Sequence, residues 1–286
     1  MVYQNEEVEY YAPAAVLPTA LPSRNDIATC SEVLSNRTGC RVVGVGRHYV
    51  VKYGTQVDLN EGETMLYLSR TTTVRVPRVF ALFRDGETQK NFIIMERIHG
   101  QSLEQVWPSL SKVDKQDIAD QLKNSMDELR LLPSPGVFCA LHSRPLPDRL
   151  FETDKTLVAG DGVFGSENEL NAALLKRYET SEARSLGRSE FYSRMWPSVF
   201  SKHPPVFTHG DFQRKNVLLA GEANAREVVL IDWETAGWYP SYWEHARALF
   251  ICARFEDDWS IWLEAILEPF LKEYAWMYTF MCETWI

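Results

Sequence analysis

The period of the apolar positions changes along the chain. From residue 38 the run TGCRVVGVGRHYVVKYG alternates and is rich in valine, with Gly44 and Gly46 marking a tight reversal, so it predicts a β-hairpin that ends near Lys52. In the next segment, DLNEGETMLYLSR, Glu61, Met65 and Leu68 fall at i, i+4 and i+7, which is one face of a helix. Pro77 opens another apolar run, and NFIIMERI at 91–98 reads as a buried strand closed by Gly100. Beyond Gly100 helical spacing takes over. Ser111 with Asp114 forms a cap pattern ahead of Ile118, Leu122, Met126 and Leu129. Ser166 with Glu169 caps a second helix through Leu170 and Leu174, and a third stretch carries Phe191, Met195 and Val199 up to Pro204. Residues 133–165, rich in Pro, Gly and Asp, read as loop, and 206–219 and 226–232 read as short strands flanking a turn. The first 24 residues hold Pro13, Pro18 and Pro22 and read as an irregular surface arm. The expectation is an α+β chain whose small β-rich part precedes a larger helical one.

Composition narrows the function classes. The 286 residues are 45% hydrophobic and 24% charged, so a packed core is expected and disorder is excluded. The net charge of −9 argues against a nucleic-acid partner, which calls for a basic face. No run of 18 apolar residues predicts a membrane span, and MVYQNEEVEYY lacks the apolar segment of a secretory signal. Five cysteines without a CxxC pair suggest reduced thiols in a cytoplasmic protein.

The strongest chemical signal is FTHGDFQRKNVLL at 207–219, followed by VVLIDWE at 228–234. Apolar runs flank both polar clusters, which places His209, Asp211, Asn216 and Asp232 at strand ends, where side chains can converge on a cleft. Mg²⁺ takes oxygen ligands and is often held by one or two protein groups together with substrate phosphates. Phosphoryl transfer needs a carboxylate to accept the proton of an attacking hydroxyl, metal to neutralise the phosphates, and a Lys to hold them. Asp211 suits the base, Asn216 and Asp232 the metal ligands, and Lys52 the phosphate anchor, with Glu61 pairing to Lys52 from the neighbouring helix. Glu63 competes for that pairing, but it can be a capping residue after Asn60, whereas Glu61 shares its face with Met65 and Leu68.

HGDxxxxN followed by IDWE resembles the aminoglycoside phosphotransferase family, within the protein-kinase-like superfamily. The run DWETAGWYPSYWEHARALF resembles the subfamily common in fungi, and VVKYG, RVPRV, FIIMERIHGQSL and VWPSLS agree in the same order. The resemblance spans roughly residues 40–275 and implies a two-lobed protein-kinase-like fold. It divides the chain into an arm at 1–24, a small β-rich nucleotide-binding N-lobe at 25–98 and a larger helical C-lobe at 99–286. It further implies ATP or GTP as co-substrate with Mg²⁺, base contacts to the backbone near Glu96 and Ile98, and a small-molecule hydroxyl as acceptor. His209 in this motif fixes the loop by hydrogen bonding to backbone, although as a bare residue it is also a candidate acid or base.

Two features depart from the protein kinases. No GxGxxG precedes Lys52, only Gly44-Val45-Gly46, so phosphate binding leans on Lys52 and Mg²⁺. Gln213 stands where protein kinases carry Lys, which favours a small-molecule kinase. Of the last 55 residues 15 are aromatic, most of them for packing. An aromatic wall would suit a planar, apolar or cationic acceptor, and Glu256, Asp257 and Asp258 would draw an amine unless they form a solvated face. The rival reading is a kinase-fold protein that no longer transfers phosphate, either a binding protein or a repurposed biosynthetic enzyme using Asp211 or His209 as acid or base.

Overall fold

The computed structural model describes residues 9–151, 162–181, 184–221, 226–252 and 255–284. The chain divides into two compact units, residues 1–101 with 218–234, and residues 102–217 with 235–286.

The first unit is built on a six-stranded antiparallel sheet. Its strands are β1 (Tyr10–Tyr11), β2 (Val33–Arg37), β3 (Cys40–Val45), β4 (Tyr49–Gly54), β5 (Val79–Arg84) and β6 (Asn91–Glu96), in the order β1-β5-β6-β4-β3-β2. The valine-rich hairpin is β3 and β4, with Lys52 paired to Val42 on one side and Ile93 on the other. Gly46, with φ of 59°, makes the reversal, while Gly44 lies inside β3, where a Cβ would meet the Arg97 and Glu32 side chains. Residues 1–8 of the N-terminal arm lie outside the described residues; in the rest, β1 adds to the sheet edge beside β5, and a short helix α1 (Arg24–Ala28) follows with Ser23 as its cap. Helix α2 (Asn60–Thr71) buries Glu61, Met65 and Leu68, the face given by their spacing. The N-cap of α2 is Leu59 without a side-chain bond, so Asn60 and Glu63 do not form the capping box read from sequence. After β7 (Gly100–Ser102) the chain leaves this unit. It returns as β9 (Val217–Ala220) and β10 (Glu227–Leu230), which form a second sheet in the order β10-β9-β7. Leu230 N–H donates to Arg75 O at 3.0 Å and ties β10 to the stretch before β5. Phe80, Phe92, Val51, Ala81 and Ile94 belong to the core of this unit.

The second unit is helical. Its helices are α3 (Leu103–Val106), α4 (Lys112–Arg130), α5 (Glu167–Thr180), α6 (Leu186–Met195), α7 (Trp243–Ile251), α8 (Trp259–Ile266) and α9 (Leu271–Thr284). Ser111 and Asp114 close a full capping box on α4, and Ser166 Oγ accepts from Glu169 N–H at the start of α5. A two-stranded ribbon of β8 (Pro205–Thr208) and β11 (Gly237–Pro240) crosses this unit. Its core is aromatic: Tyr192, Trp196, Phe200, Tyr242, Trp243 and Phe280 pack together. The loop read at 133–165 includes two short helical turns, at 141–143 and 149–151, and its residues 152–161 lie outside the described residues. Among the described residues, no helix is long and apolar enough to cross a membrane.

Candidate active site

Two groups of polar residues stand out, one within each unit. In the β-rich unit, strand β4 presents Lys52 and helix α2 presents Glu61, both nearly inaccessible at 7% and 2% exposure. Lys52 Nζ lies 2.7 Å from Glu61 Oε2, 2.8 Å from Asp232 Oδ1 and 2.8 Å from Glu234 Oε2. Burial opposes the Lys52 ammonium, but the three carboxylates outweigh it and its pKa is raised. The buried Glu61 carboxyl is pushed up to about 7, with Lys52 holding it down in part. Asp232 follows β10 and has φ of 64°, a left-handed backbone that Asp tolerates better than most side chains. Glu61, Asp232 and Glu234 offer oxygens that lie within 4.8 Å of one another. An all-oxygen carboxylate set of this kind suits Mg²⁺. Glu234 is the member that spacing singled out least, and its contact with Lys52 gives it a direct place in the cluster.

The stretch from β6 to β7 is braced from both sides. The Glu96 carboxylate takes Arg75 at 2.7 and 3.0 Å and the Arg78 N–H at 3.1 Å, and Glu96 N–H donates to Arg78 O. Ile98 is half-buried, and its backbone N–H and C=O carry no backbone hydrogen bond among the described residues. The hairpin turn is fastened to the same stretch: Arg97 donates to Gly46 O at 2.9 Å and from its own N–H to His48 O, and His99 Nε2 lies 2.7 Å from Arg47 O. The turn is thus short and held, unlike a glycine loop that folds over phosphates.

In the helical unit, residues 209–216 form a loop after β8. His209 is fully buried, and its Nδ1 accepts from the Asp211 N–H at 3.3 Å. Its backbone N–H donates to Glu244 Oε2 at 2.6 Å, and its carbonyl accepts from Thr235 Oγ1 at 3.0 Å. These contacts tie His209 to Glu244, to Thr235 and to the backbone of its own loop. Gly210, with φ of 83°, donates to Glu244 Oε1 at 3.1 Å. Asn216 Nδ2 donates to the Asp211 carbonyl at 2.9 Å and to Asp211 Oδ2 at 2.8 Å, which leaves the Asn216 side-chain oxygen as the atom to offer a cation. Gln213 Nε2 donates to Asp211 Oδ1. Burial would raise the Asp211 pKa, but Gln213, Lys215, His209 and Asn216 together hold it below the usual carboxylate range. Asp211 is therefore ionised at neutral pH and can accept a hydrogen bond from a hydroxyl.

Sequence reading passed over Glu244 and Thr235, which hold this loop in place. The signal for Glu244 was available, as one acid inside the apolar run WEHARALF on a helix that is buried nearly all round. The C-terminal acids were read as possible attractors for an amine. The structure pairs Asp257 with Arg214, and Asp258 with Lys115 and the indole N–H groups of Trp107 and Trp262.

Comparison with solved structures defines the class first: the chain has a protein-kinase-like fold. It aligns with an apo thermostable mutant of aminoglycoside phosphotransferase APH(4)-Ia at 14% identity and TM-score 0.56, covering 91% of this chain and 89% of that one. It aligns with the GDP and kanamycin complex of APH(2")-IIia at 14% identity and TM-score 0.59, covering 91% and 88%. The GDP complex of wild-type aminoglycoside 2'-phosphotransferase-IIIa gives 14% identity and TM-score 0.59 over 89% and 83%. The chain belongs to the phosphotransferase enzyme family, whose profile matches residues 28–283. A comparison with curated proteins returns no match.

Proposed function

We propose that the protein is a nucleotide- and Mg²⁺-dependent phosphotransferase acting on a hydroxyl of a small molecule. The observation that carries this reading is the buried Lys52 ammonium set among Glu61, Asp232 and Glu234. A lysine held charged by carboxylates is pre-positioned for the α- and β-phosphates, and Asp232 and Glu234 are hard oxygen donors beside it. Asn216 supplies a further oxygen donor in the helical unit. Bound Mg²⁺ would neutralise charge on the transferring phosphoryl group.

This chain's residues do the rest. Lys52 draws the phosphates and Glu61 fixes its direction. The braced stretch at Glu96 and Ile98 offers backbone groups to the purine of ATP or GTP. The Asp211 carboxylate receives the acceptor O–H as a hydrogen bond. As the hydroxyl oxygen bonds to the γ-phosphorus and the bridge to the β-phosphate breaks, the proton passes to Asp211 and the nucleoside diphosphate leaves. With its low pKa, Asp211 orients the hydroxyl early and takes the proton late, as suits a loose transition state with little need for a strong base.

On this reading 25–98 is the nucleotide-binding part, 99–286 carries the transfer loop and acceptor contacts, and the enzyme acts in the cytoplasm. The likeness of DWETAGWYPSYWEHARALF to the fungal subfamily is carried by sequence alone. The test is transfer of label from γ-labelled ATP and GTP to a panel of amino sugars, amino alcohols and aromatic alcohols in the presence of Mg²⁺. One panel member should be phosphorylated, and Asp211→Asn should slow its turnover by about 10²- to 10⁴-fold. Undiminished turnover in Asp211→Asn would overturn the assignment.

A further inference from the structure

The loop at 209–216 has two ends. Glu244 and Thr235 hold the first, at His209 and Gly210. Nothing in the phosphotransferase chemistry requires a cation at position 214, yet Arg214 is among the most enclosed cations of the helical unit, with 20% of its side chain exposed. Its guanidinium carbon stands 5.5 Å from the Trp259 ring centroid and 6.0 Å from that of Trp107. Its Nη1 lies 2.6 Å from Asp257 Oδ2. The two indoles are themselves buried, 4% and 1% exposed, and meet edge to face at 4.9 Å. Phe212, two residues earlier in the loop, packs on Trp259 from its own side at 6.2 Å.

Both walls of the Arg214 seat are tied by hydrogen bonds, the Trp259 N–H donating to Asp257 Oδ1 at 2.9 Å. Trp107 donates its Nε1–H to Asp258 at 2.9 Å and carries Lys115 4.8 Å over its ring, and Lys115 in turn binds both oxygens of Asp258 at 3.0 and 2.9 Å. A guanidinium gains from stacking on an indole face and from a carboxylate at its edge at once, a combination that an ammonium does not reproduce. Arg214 opens the single helical turn 214–216, which ends at Asn216, and the Asn216 N–H closes that turn on Gln213 O at 2.9 Å. Fixing Arg214 therefore fixes the turn that delivers the Asn216 side chain to Asp211.

We propose that Arg214 is a positioning residue for phosphoryl transfer: seated on Trp259 and Trp107 and paired with Asp257, it anchors the second end of the loop that carries Asp211 and Asn216. The proposal rests on the phosphotransferase reading. It predicts a loss in kcat rather than in nucleotide KM, because the seat lies on the transfer loop while Lys52 and the Glu96–Ile98 stretch belong to the other unit. A displaced catalytic group costs rate steeply, up to about 10²-fold for a shift near 1 Å.

The experiment uses the full chain with MgATP and MgGTP. It reads phosphate release to water, or transfer once an acceptor is known, together with hydrogen exchange of the peptide spanning 209–217. The variants are Arg214→Ala, Arg214→Lys and the half-exposed Asp257→Asn, which removes the ion pair with little risk to folding. Support is a fall in kcat of about tenfold or more in Arg214→Ala with KM within about twofold, faster exchange confined to 209–217, and intermediate values for Arg214→Lys and Asp257→Asn. Unchanged kcat, or unchanged loop exchange, in Arg214→Ala overturns the proposal while the phosphotransferase reading stands. Failure of the wild type to bind or turn over either nucleotide overturns both, even if exchange responds, because the anchor would then be structural only.

Discussion

Glu244 offers the sharpest test of how the transfer loop is held. Its carboxylate is 3% exposed and accepts from two consecutive backbone N–H groups, His209 at 2.6 Å and Gly210 at 3.1 Å. Burial pushes its pKa up, against the pull of His209, its own donors and Arg130. In Glu244→Gln the volume is kept, but one acceptor becomes an NH₂ group facing a donor. That loses a charge-assisted hydrogen bond worth about 1.5–3 kcal/mol and strands a buried N–H at about 1–3 kcal/mol. A net cost near 3 kcal/mol is small enough to leave the chain folded, since domains commonly hold about 5–15 kcal/mol. For units of this size it corresponds to a fall in Tm of about 6–12 °C. Turnover should fall further, by about 10²-fold, because the residues being released carry Asp211. The assay is calorimetric unfolding paired with nucleotide turnover, with Glu244→Asp as a variant that keeps the charge. A Glu244→Gln protein within about 2 °C of wild type, with unchanged turnover, would refute the reasoning.

Other outcomes follow from the same geometry. Gly210→Ala should destabilise and slow the enzyme, since the new Cβ would meet Thr235 O at 2.6 Å and φ is 83°; equal melting temperatures would count against it. His245 is buried with its pKa lowered to about 4, by burial first and Arg130 second, so it folds neutral. The unfolded chain binds that proton near pH 6.5, so stability should fall as pH drops from 6.5 to 4, by up to about 3 kcal/mol. His245→Gln should flatten that segment of a urea-unfolding profile, and an unaltered profile would refute the assignment. Lys52→Met leaves Glu61, Asp232 and Glu234 facing one another, so it should cost about 3 kcal/mol or more. Millimolar Mg²⁺ without nucleotide should then raise the Tm of the variant more than that of wild type, and an equal response in both would deny a cation-accepting cluster.

Periodicity located the residues whose neighbours are close in sequence. The spacing of Glu61, Met65 and Leu68 chose Glu61 over Glu63, and the structure sets Glu61 2.7 Å from Lys52. Local capping signals on α4 and α5 were legible for the same reason. Four strands were not. β1 is two residues long, β2 reads VLSNR with most positions exposed, β7 reads GQS and opens on the glycine read as a breaker, and β11 reads GWYP and ends in proline. The pairing of β9 with β7 was also hidden, because strand pairing across more than a hundred residues leaves no trace in local pattern. Within the site, Lys52 meets Asp232 and Glu234 through a separation of 180 residues or more, which the order of the motifs implied but their spacing did not fix. Much of the aromatic content near the C-terminus went into packing. Trp259 and Trp262 are spent on Trp107, Asp258 and the chain's own cation Arg214 before any acceptor is considered.

The central claim is that Lys52 and Asp232 serve a nucleotide with Mg²⁺. Calorimetry and thermal unfolding with ATP and GTP, each with and without Mg²⁺, on wild type and Asp232→Ala test it most directly. Wild type should bind one nucleotide in a Mg²⁺-dependent way and gain about 2.7 kcal/mol of stability at a hundredfold excess over Kd, and Asp232→Ala should lose most of that gain. No binding of either nucleotide at millimolar concentration, or binding undiminished in Asp232→Ala, would contradict the account.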